Sequence, residues 1–166
     1  MAMTDWSRWV PQEKAVLVFV LDGDQVLLIH KKRGLGKGKV NAPGGRVEPG
    51  ETWEQAGERE TREETGLTPE NLTERAQIRF QFVDGYALEA RVFLARGWGG
   101  TLTACDEADP FWHPVSPLPW TQMWADDSLW LPPVLGGNTV DARFLFDGDA
   151  MIEAWVEVRP RDASNG

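Results

Sequence analysis

Gly45-Arg46-Val47-Glu48-Pro49-Gly50-Glu51-Thr52-Trp53-Glu54-Gln55-Ala56-Gly57-Glu58-Arg59-Glu60-Thr61-Arg62-Glu63-Glu64-Thr65-Gly66-Leu67 carries the strongest helix signal in the chain. Thr52 and Gln55 have capping-box spacing, in which each side chain satisfies a backbone amide that the first helical turn leaves free. Gly66 is placed to take the left-handed conformation just past the last turn. The spacing therefore predicts a helix over 53–65. At 100° per residue Trp53, Ala56, Gly57, Glu60, Glu63 and Glu64 share one arc, whereas Glu54, Gln55, Glu58, Arg59 and Arg62 point elsewhere. One face thus turns from apolar to acidic. Carboxylates three and four residues apart lie ~5–6 Å from one another and repel by roughly 3 kcal/mol per pair at an effective dielectric of about 20. Solvation of the face is one answer. A hard divalent cation is the simpler one, because the acids continue the face that Trp53 and Ala56 turn inward, and Mg²⁺ takes carboxylate oxygens while bridging to phosphates.

Outward from this helix, the preceding stretch Lys31 to Val47 is glycine-rich and basic, a loop with a short strand near Val40. Lys31, Lys32, Arg33, Lys37, Lys39 and Arg46 give six cations over sixteen residues without one acid, so either a solvated lysine loop or a phosphate site is expected. Gly44-Gly45 would permit close backbone approach to a metal or phosphate. Ala15–Leu21 and Gln25–His30, separated by Asp22-Gly23-Asp24, read as a β-hairpin. After the helix, Gln77–Val83 and Leu88–Leu94 alternate apolar with polar residues around Asp84-Gly85 and read as a second antiparallel pair. Phe111–Val115 is a further strand candidate. Thr121–Leu135 reads as a turn and a short helix broken by Pro132 and Pro133, because proline lacks the amide a continuing helix needs. A last hairpin pairs Ala142–Phe146 with Met151–Val158, and the polar stretch from Arg159 on is expected to fray. The class is α+β or mixed α/β, antiparallel strands around one strong helix.

At 166 residues the chain fits one domain, with a core over about 14–158 between polar tails. Its hydrophobic 42% and charged 26% are ordinary for a globular protein, which excludes disordered and collagenous classes. Apolar runs of seven residues are far short of the ~20 that cross a bilayer, so no membrane association is expected. A net charge of −9 repels polyanions and argues against nucleic-acid polymers as partners, while leaving room for a small phosphate ligand beside the basic loop. The single cysteine, Cys105, and the lack of a secretory pattern before Lys14 fit a cytoplasmic protein. Nine tryptophans stand out, and core filling should take most of them. His30 and His113 have no partner spacing and read as structural. Cys105 has no activating neighbour and reads as inert.

The spacing Gly45, Glu51, Arg59-Glu60, Glu63-Glu64, Gly66-Leu67 resembles the Nudix box, a pattern of nine fixed positions in which Thr61 is the one departure, standing where the family carries an aliphatic residue. Beyond the box, His30-Lys31-Lys32-Arg33-Gly34-Leu35-Gly36, Asn41 before Pro43-Gly44-Gly45, Met123-Trp124-Ala125-Asp126-Asp127-Ser128-Leu129-Trp130 and Phe144-Leu145-Phe146-Asp147-Gly148 are similar to that family's oxidised-purine nucleoside triphosphatases. The resemblance implies the Nudix fold, a mixed sheet between helices. It further implies Mg²⁺-dependent hydrolysis of a nucleoside triphosphate such as 8-oxo-dGTP or 2-oxo-dATP to monophosphate and pyrophosphate, with Mn²⁺ as the alternative ion.

Carried over position by position, the resemblance implies that Glu60, Glu63 and Glu64 are catalytic and hold the metal, completed by the Gly44 carbonyl and Glu107. Lys31 would contact phosphate, and Pro43, Gly44, Gly45 and Arg46 would border the substrate. Asn41, Asp126 and Asp127 would read the purine edge and Trp124 would stack on the ring. Adjacent carboxyls sharing one proton in a buried pocket would offer both a donor and an acceptor to differently tautomerised bases. Asp126-Asp127 could otherwise cap the short helix that follows. Val16, Leu35 and Pro43 depart from the subgroup around the base, which bears on base preference rather than on the reaction. Two alternatives stay open: a Nudix hydrolase of another nucleoside diphosphate derivative, such as a dinucleoside polyphosphate or capped RNA, and a nucleotide-binding module without catalysis. A monomer is favoured.

Overall fold

The computed structural model describes residues 4–160. Thirteen residues, Trp53–Thr65, form α1 as the caps dictate: the Thr52 hydroxyl accepts from the Gln55 amide at 3.1 Å, the Gln55 side chain accepts from the Thr52 amide at 2.9 Å, and Gly66 closes the helix at φ 79°. Before it lie β1 (Glu13–Asp22), β2 (Gln25–Lys31), β3 (Val40–Asn41) and β4 (Gly44–Arg46). After it come β5 (Leu67–Glu70), β6 (Thr73–Phe82), β7 (Ala87–Ala95), β8 (Gly97–Gly100), β9 (Ala108–Pro114), α2 (Asp127–Leu135), β10 (Thr139–Asp147) and β11 (Ala150–Arg159). The class is mixed α+β, as expected.

The large sheet runs in the order β11-β10-β6-β7-β1-β2-β3, with β4 also pairing β1 and β9 pairing β2. It is mixed: β1 lies parallel to β7 and β10 parallel to β6, while β6–β7 and β10–β11 are antiparallel. Period-two alternation along β1 separates two cores. Val16, Val18 and Val20 face α1 together with Ala56, Leu67 and Phe93, and Phe19 and Leu21 face the opposite side with Trp130, Phe144 and Phe146. Gly57 sits where a β-carbon would press within 3.0 Å of Val18 Cγ2, so its missing side chain lets α1 settle onto β1. No helix among the described residues is long and apolar enough to cross a membrane.

Four expectations need correcting. The first hairpin is a hairpin only at its turn, pairing Leu21 with Val26 and Asp22 with Gln25, after which β1 joins β7 and β4 while β2 joins β9 and β3. Pro132 and Pro133 lie inside α2 rather than breaking it. The carbonyls they leave free, on Ser128 and Leu129, are on exposed residues where water can satisfy them, and buried Trp130, Leu131 and Val134 hold the helix to the core. Arg159 closes β11 instead of fraying, and residues 161–166 of that tail lie outside the described residues. Of the described tryptophans only Trp130 is fully buried, while Trp53, Trp112, Trp120 and Trp124 pack partly buried against the cores. The others are large amphipathic plates, and several carry cations: Trp53 lies under Arg91 and Lys14, Trp155 under Arg143, and Trp9 under Arg79.

Candidate active site

Where β1 and β2 splay apart, the chain crosses the gap from β3 to β4 and leaves a cavity of about 550 Å³. Its two ends differ in chemistry.

The acidic end is built by α1 against β4. Glu64 is 3% exposed and accepts the Gly44 backbone N–H at 2.7 Å. Burial, opposed by that hydrogen bond, pushes its carboxyl up to about 7. Glu60 is also raised by burial, with Arg59 pulling the other way. Gly45 is required here, since a β-carbon would run into the Glu60 carboxylate, and at Gly44 one would run into the Val16 carbonyl. Glu107 lines the same end on an exposed side chain and meets Arg33 at 3.5 Å. Glu63 stands outside the cavity wall, 56% exposed, at 3.4 Å from Arg59.

Arg59, which the helical arc sets aside, is the hub of this end. Its guanidinium bonds Glu51 at 2.7 and 2.9 Å, Glu60 at 2.6 Å and the Arg46 carbonyl at 3.0 Å. Those hydrogen bonds hold the Glu51 carboxyl down at about 2. The repulsion expected among the helix acids is therefore offset first by an arginine of the same helix. An arginine eight residues after an acid that stands just ahead of the helix, and directly before Glu60, was the available signal, because its side chain is long enough to reach back along the helix.

The basic loop disperses. Lys32 holds Asp109 at 2.9 Å, Arg33 holds Glu107, Arg46 holds Glu13, and Lys39 holds Asp149 at 3.5 Å. Among the described residues, Lys31 alone of the cations lining the cavity has no carboxylate within 4 Å. Its charge lies close enough to Glu64 to oppose the rise of that carboxyl.

The other end is aromatic. Trp124, Phe80, Phe82 and Phe146 form the wall, with Leu35, Leu88 and Tyr86 at its border. Phe80 and Phe82 follow the alternation of β6, a periodicity legible in the sequence but not by itself tied to a site. Asn41 lines the cavity, its carboxamide oxygen taken by the Ala42 amide at 2.9 Å, which leaves the NH₂ end as a donor. Asp126 and Asp127 are 2% and 4% exposed. They do not cap α2: Asp126 makes no side-chain cap bond and instead accepts the Trp130 indole N–H at 2.7 Å, and Asp127 accepts the Trp124 amide at 3.2 Å. Burial raises both carboxyls, and repulsion from Asp126 adds to the rise of Asp127. Pro43 is buried outside the wall and gives its carbonyl to the Val18 amide at 2.9 Å. His30 stacks on Phe111 and His113 turns to the Pro114 carbonyl, both away from the cavity.

Among the described residues no three carboxylate, imidazole or thiol side chains are already gathered tightly enough to enclose an ion. Glu60, Glu64 and Glu107 are held by Arg59, the Gly44 amide and Arg33 respectively. The donor set is nonetheless all hard oxygen, and the Glu60 and Glu107 charges both raise the Glu64 carboxyl, so the chemistry of the site fits a hard divalent cation.

The NUDIX domain model matches residues 11–132. The oxidized purine nucleoside triphosphate hydrolase of Danio rerio is 41% identical over 139 residues, covering 82% of this chain and 89% of that protein. Its Mus musculus counterpart is 38% identical, covering 82% and 88%. The crystal structure of the MutT protein from Bacillus halodurans superposes with a TM-score of 0.79 at 24% identity, covering 87% of this chain and 97% of that one, a likeness of fold. With a family model spanning both ends of the cavity and relatives matched along most of their length, the chain belongs to the NUDIX domain family.

Proposed function

We propose that this NUDIX hydrolase cleaves oxidised purine nucleoside triphosphates to the monophosphate and pyrophosphate in the presence of Mg²⁺, with Mn²⁺ as the alternative ion. The observation that carries the reading is one cavity with a carboxylate-and-lysine end and an aromatic end bearing two buried carboxyls, sized for a single nucleotide. The names of the relatives support the substrate class. A nucleotide substrate and the free thiol of Cys105 support a cytoplasmic site of action. The residues proposed for the site all lie within one domain with its core over about 14–158.

Glu60, Glu64 and Glu107, with the Gly44 carbonyl and Glu63 at the rim, would hold the ion, which when bound neutralises charge developing on the phosphoryl oxygens. Lys31 binds the phosphates from the opposite side of the same end. Whichever of Glu60, Glu63 and Glu64 is left outside the ion's ligand set takes the proton from the attacking water. Trp124 stacks on the base, and the Asn41 NH₂ reads one edge of it. One proton held between Asp126 and Asp127 presents a donor and an acceptor side by side, so bases with different tautomers find a complement.

The test is a panel of normal, oxidised and methylated nucleoside triphosphates incubated with Mg²⁺, with phosphorus products resolved. Pyrophosphate release fastest from oxidised purines is expected. Orthophosphate as the product, or no preference for an oxidised base, overturns the reading.

A further inference from the structure

We infer that Lys39, anchored by Asp149, is a positioning residue that backs the Trp124 indole and so fixes the stacking wall of the base pocket; this rests on the proposed function above. In the sequence Lys39 belongs to the basic loop and invites a phosphate role. In the fold it is turned to the other end. Its backbone N–H donates to Gly36 at 2.8 Å and its carbonyl accepts from Lys31 at 3.0 Å, which closes the loop onto β2. From there its ammonium reaches 5.0 Å from the centre of the Trp124 ring and 3.5 Å from the Asp149 carboxylate in the β10–β11 turn. Trp124 lines the cavity and Lys39 does not, so the cation meets the indole from outside the cavity.

The other contacts of the ring are edge-on or leave it sterically open. Phe82 and Phe146 meet it edge-on at 6.5 and 5.5 Å, and Gly36 offers only backbone beside the indole nitrogen, where a β-carbon would come within 2.9 Å. Lys39 thus joins two segments that no other described ion pair connects, the β2–β3 loop and the β10–β11 turn. Its charge also opposes the rise of the Asp127 carboxyl, so the same residue bears on both the stacking wall and the edge-reading pair. The Lys39 stem is mostly covered whereas Asp149 is 73% exposed, which makes the lysine the essential member and the aspartate its tether.

Steady-state hydrolysis of 8-oxo-dGTP by wild type, Lys39→Met, Lys39→Arg and Asp149→Asn, with tripolyphosphate as a competitive inhibitor, tests this. Methionine keeps a covered stem and removes the charge. A cation–π contact of about 0.5–1 kcal/mol corresponds to roughly a two- to fivefold effect, so KM for Lys39→Met should rise by about that factor with kcat within about twofold. Lys39→Arg should restore KM, and Asp149→Asn should fall between. The inhibition constant of tripolyphosphate, which has no base, should not move. An unchanged KM in Lys39→Met overturns the inference, as does a tripolyphosphate constant that weakens in step with KM, since that would put Lys39 on the phosphates.

Wild-type turnover separates the two readings: a wild type that hydrolyses no oxidised purine removes the proposed function and leaves the clamp to be read by structure. For that, protein labelled with 5-fluorotryptophan gives one ¹⁹F line per indole, the Trp124 line being assigned by Trp124→Phe. Lys39→Met should shift or broaden this line and leave those of Trp98 and Trp155 in place. An unmoved Trp124 line overturns the clamp whatever the activity.

Discussion

Glu64 accepts the Gly44 amide at 2.7 Å, which fastens the acidic end of α1 to the glycine strand with a carboxylate that burial holds at about 7. Its ordinary value is 4.5, so between the two the native state binds a proton that the unfolded chain has released. The stability from this group is complete below about 4.5 and is lost as pH rises through about 7. Glutamine in its place suffers no such loss and can still accept from Gly44. Glu64→Gln should match wild type in denaturant melts at pH 4.5 and exceed it by about 2 kcal/mol at pH 8 without added metal. Adding Mg²⁺ should raise the wild-type Tm and barely move that of the variant, while abolishing the variant's turnover is the catalytic counterpart.

Removing the Arg59 hub leaves Glu51 and Glu60 as mostly covered anions without their shared cation. Arg59→Met should cost about 2–3 kcal/mol in urea unfolding at pH 7.5, less than the roughly 3–5 kcal/mol of a fully buried broken pair because the guanidinium is partly solvated. Arg59→Lys should recover less than half, since an ammonium cannot bond Glu51 through two nitrogens while holding Glu60 and the Arg46 carbonyl.

Burial raises both carboxyls of Asp126 and Asp127, and repulsion from Asp126 raises Asp127 further, so the pair should hold one proton above the ordinary carboxylate range and lose it as pH rises. KM for oxidised purines should therefore climb as pH rises past that point, with the donor gone and two charges facing the base. Asp127→Asn retains a donor at every pH, so this alkaline climb should vanish between pH 6 and 9. Profiles for 8-oxo-dGTP and 2-oxo-dATP should diverge in the variant by about tenfold, since one hydrogen-bonding pattern is then frozen. Parallel profiles in wild type and variant would count against a shared proton.

Gly45→Ala places a methyl group on the Glu60 carboxylate. Because the clash is with a side chain that can swing, the protein should fold, with Tm lowered by a few degrees, while kcat falls by about a hundredfold as Glu60 leaves its place. Gly44→Ala meets the Val16 backbone instead and should fail mainly in stability, as soluble yield and Tm report.

What could be read from the amino acids was local. The capping box, the Gly66 stop and the antiparallel pairing of β6 with β7 depend on neighbours in sequence and were legible there, although β6 begins at Thr73, four residues before the expected Gln77, and Val83 falls in the turn. What was hidden depends on chain crossings. The strands β5 and β8, Leu-Thr-Pro-Glu against Gly-Trp-Gly-Gly, have no apolar alternation, and it is pairing with each other that makes them strands. The helical arc identified Glu60 and Glu64 but took exposed Glu63 with them and set Arg59 aside, because angular position fixes where a side chain starts and not where a long one ends. Lys39 and Asp149 are 110 positions apart, and nothing nearby in sequence to either one announces the other.

The early parting of β1 from β2 has a consequence for how this protein can change. The cleft it opens is floored by strand residues, Leu17 on one side and Ile29 and Asn41 on the other, while α1 is seated against β4, β5 and the opposite face of β1. A point substitution on that floor can enlarge, narrow or re-polarise the room offered to a base without dislodging the hydrolytic apparatus next door. Taste and bite are thereby inherited on different strands, and new preferences can arise one residue at a time.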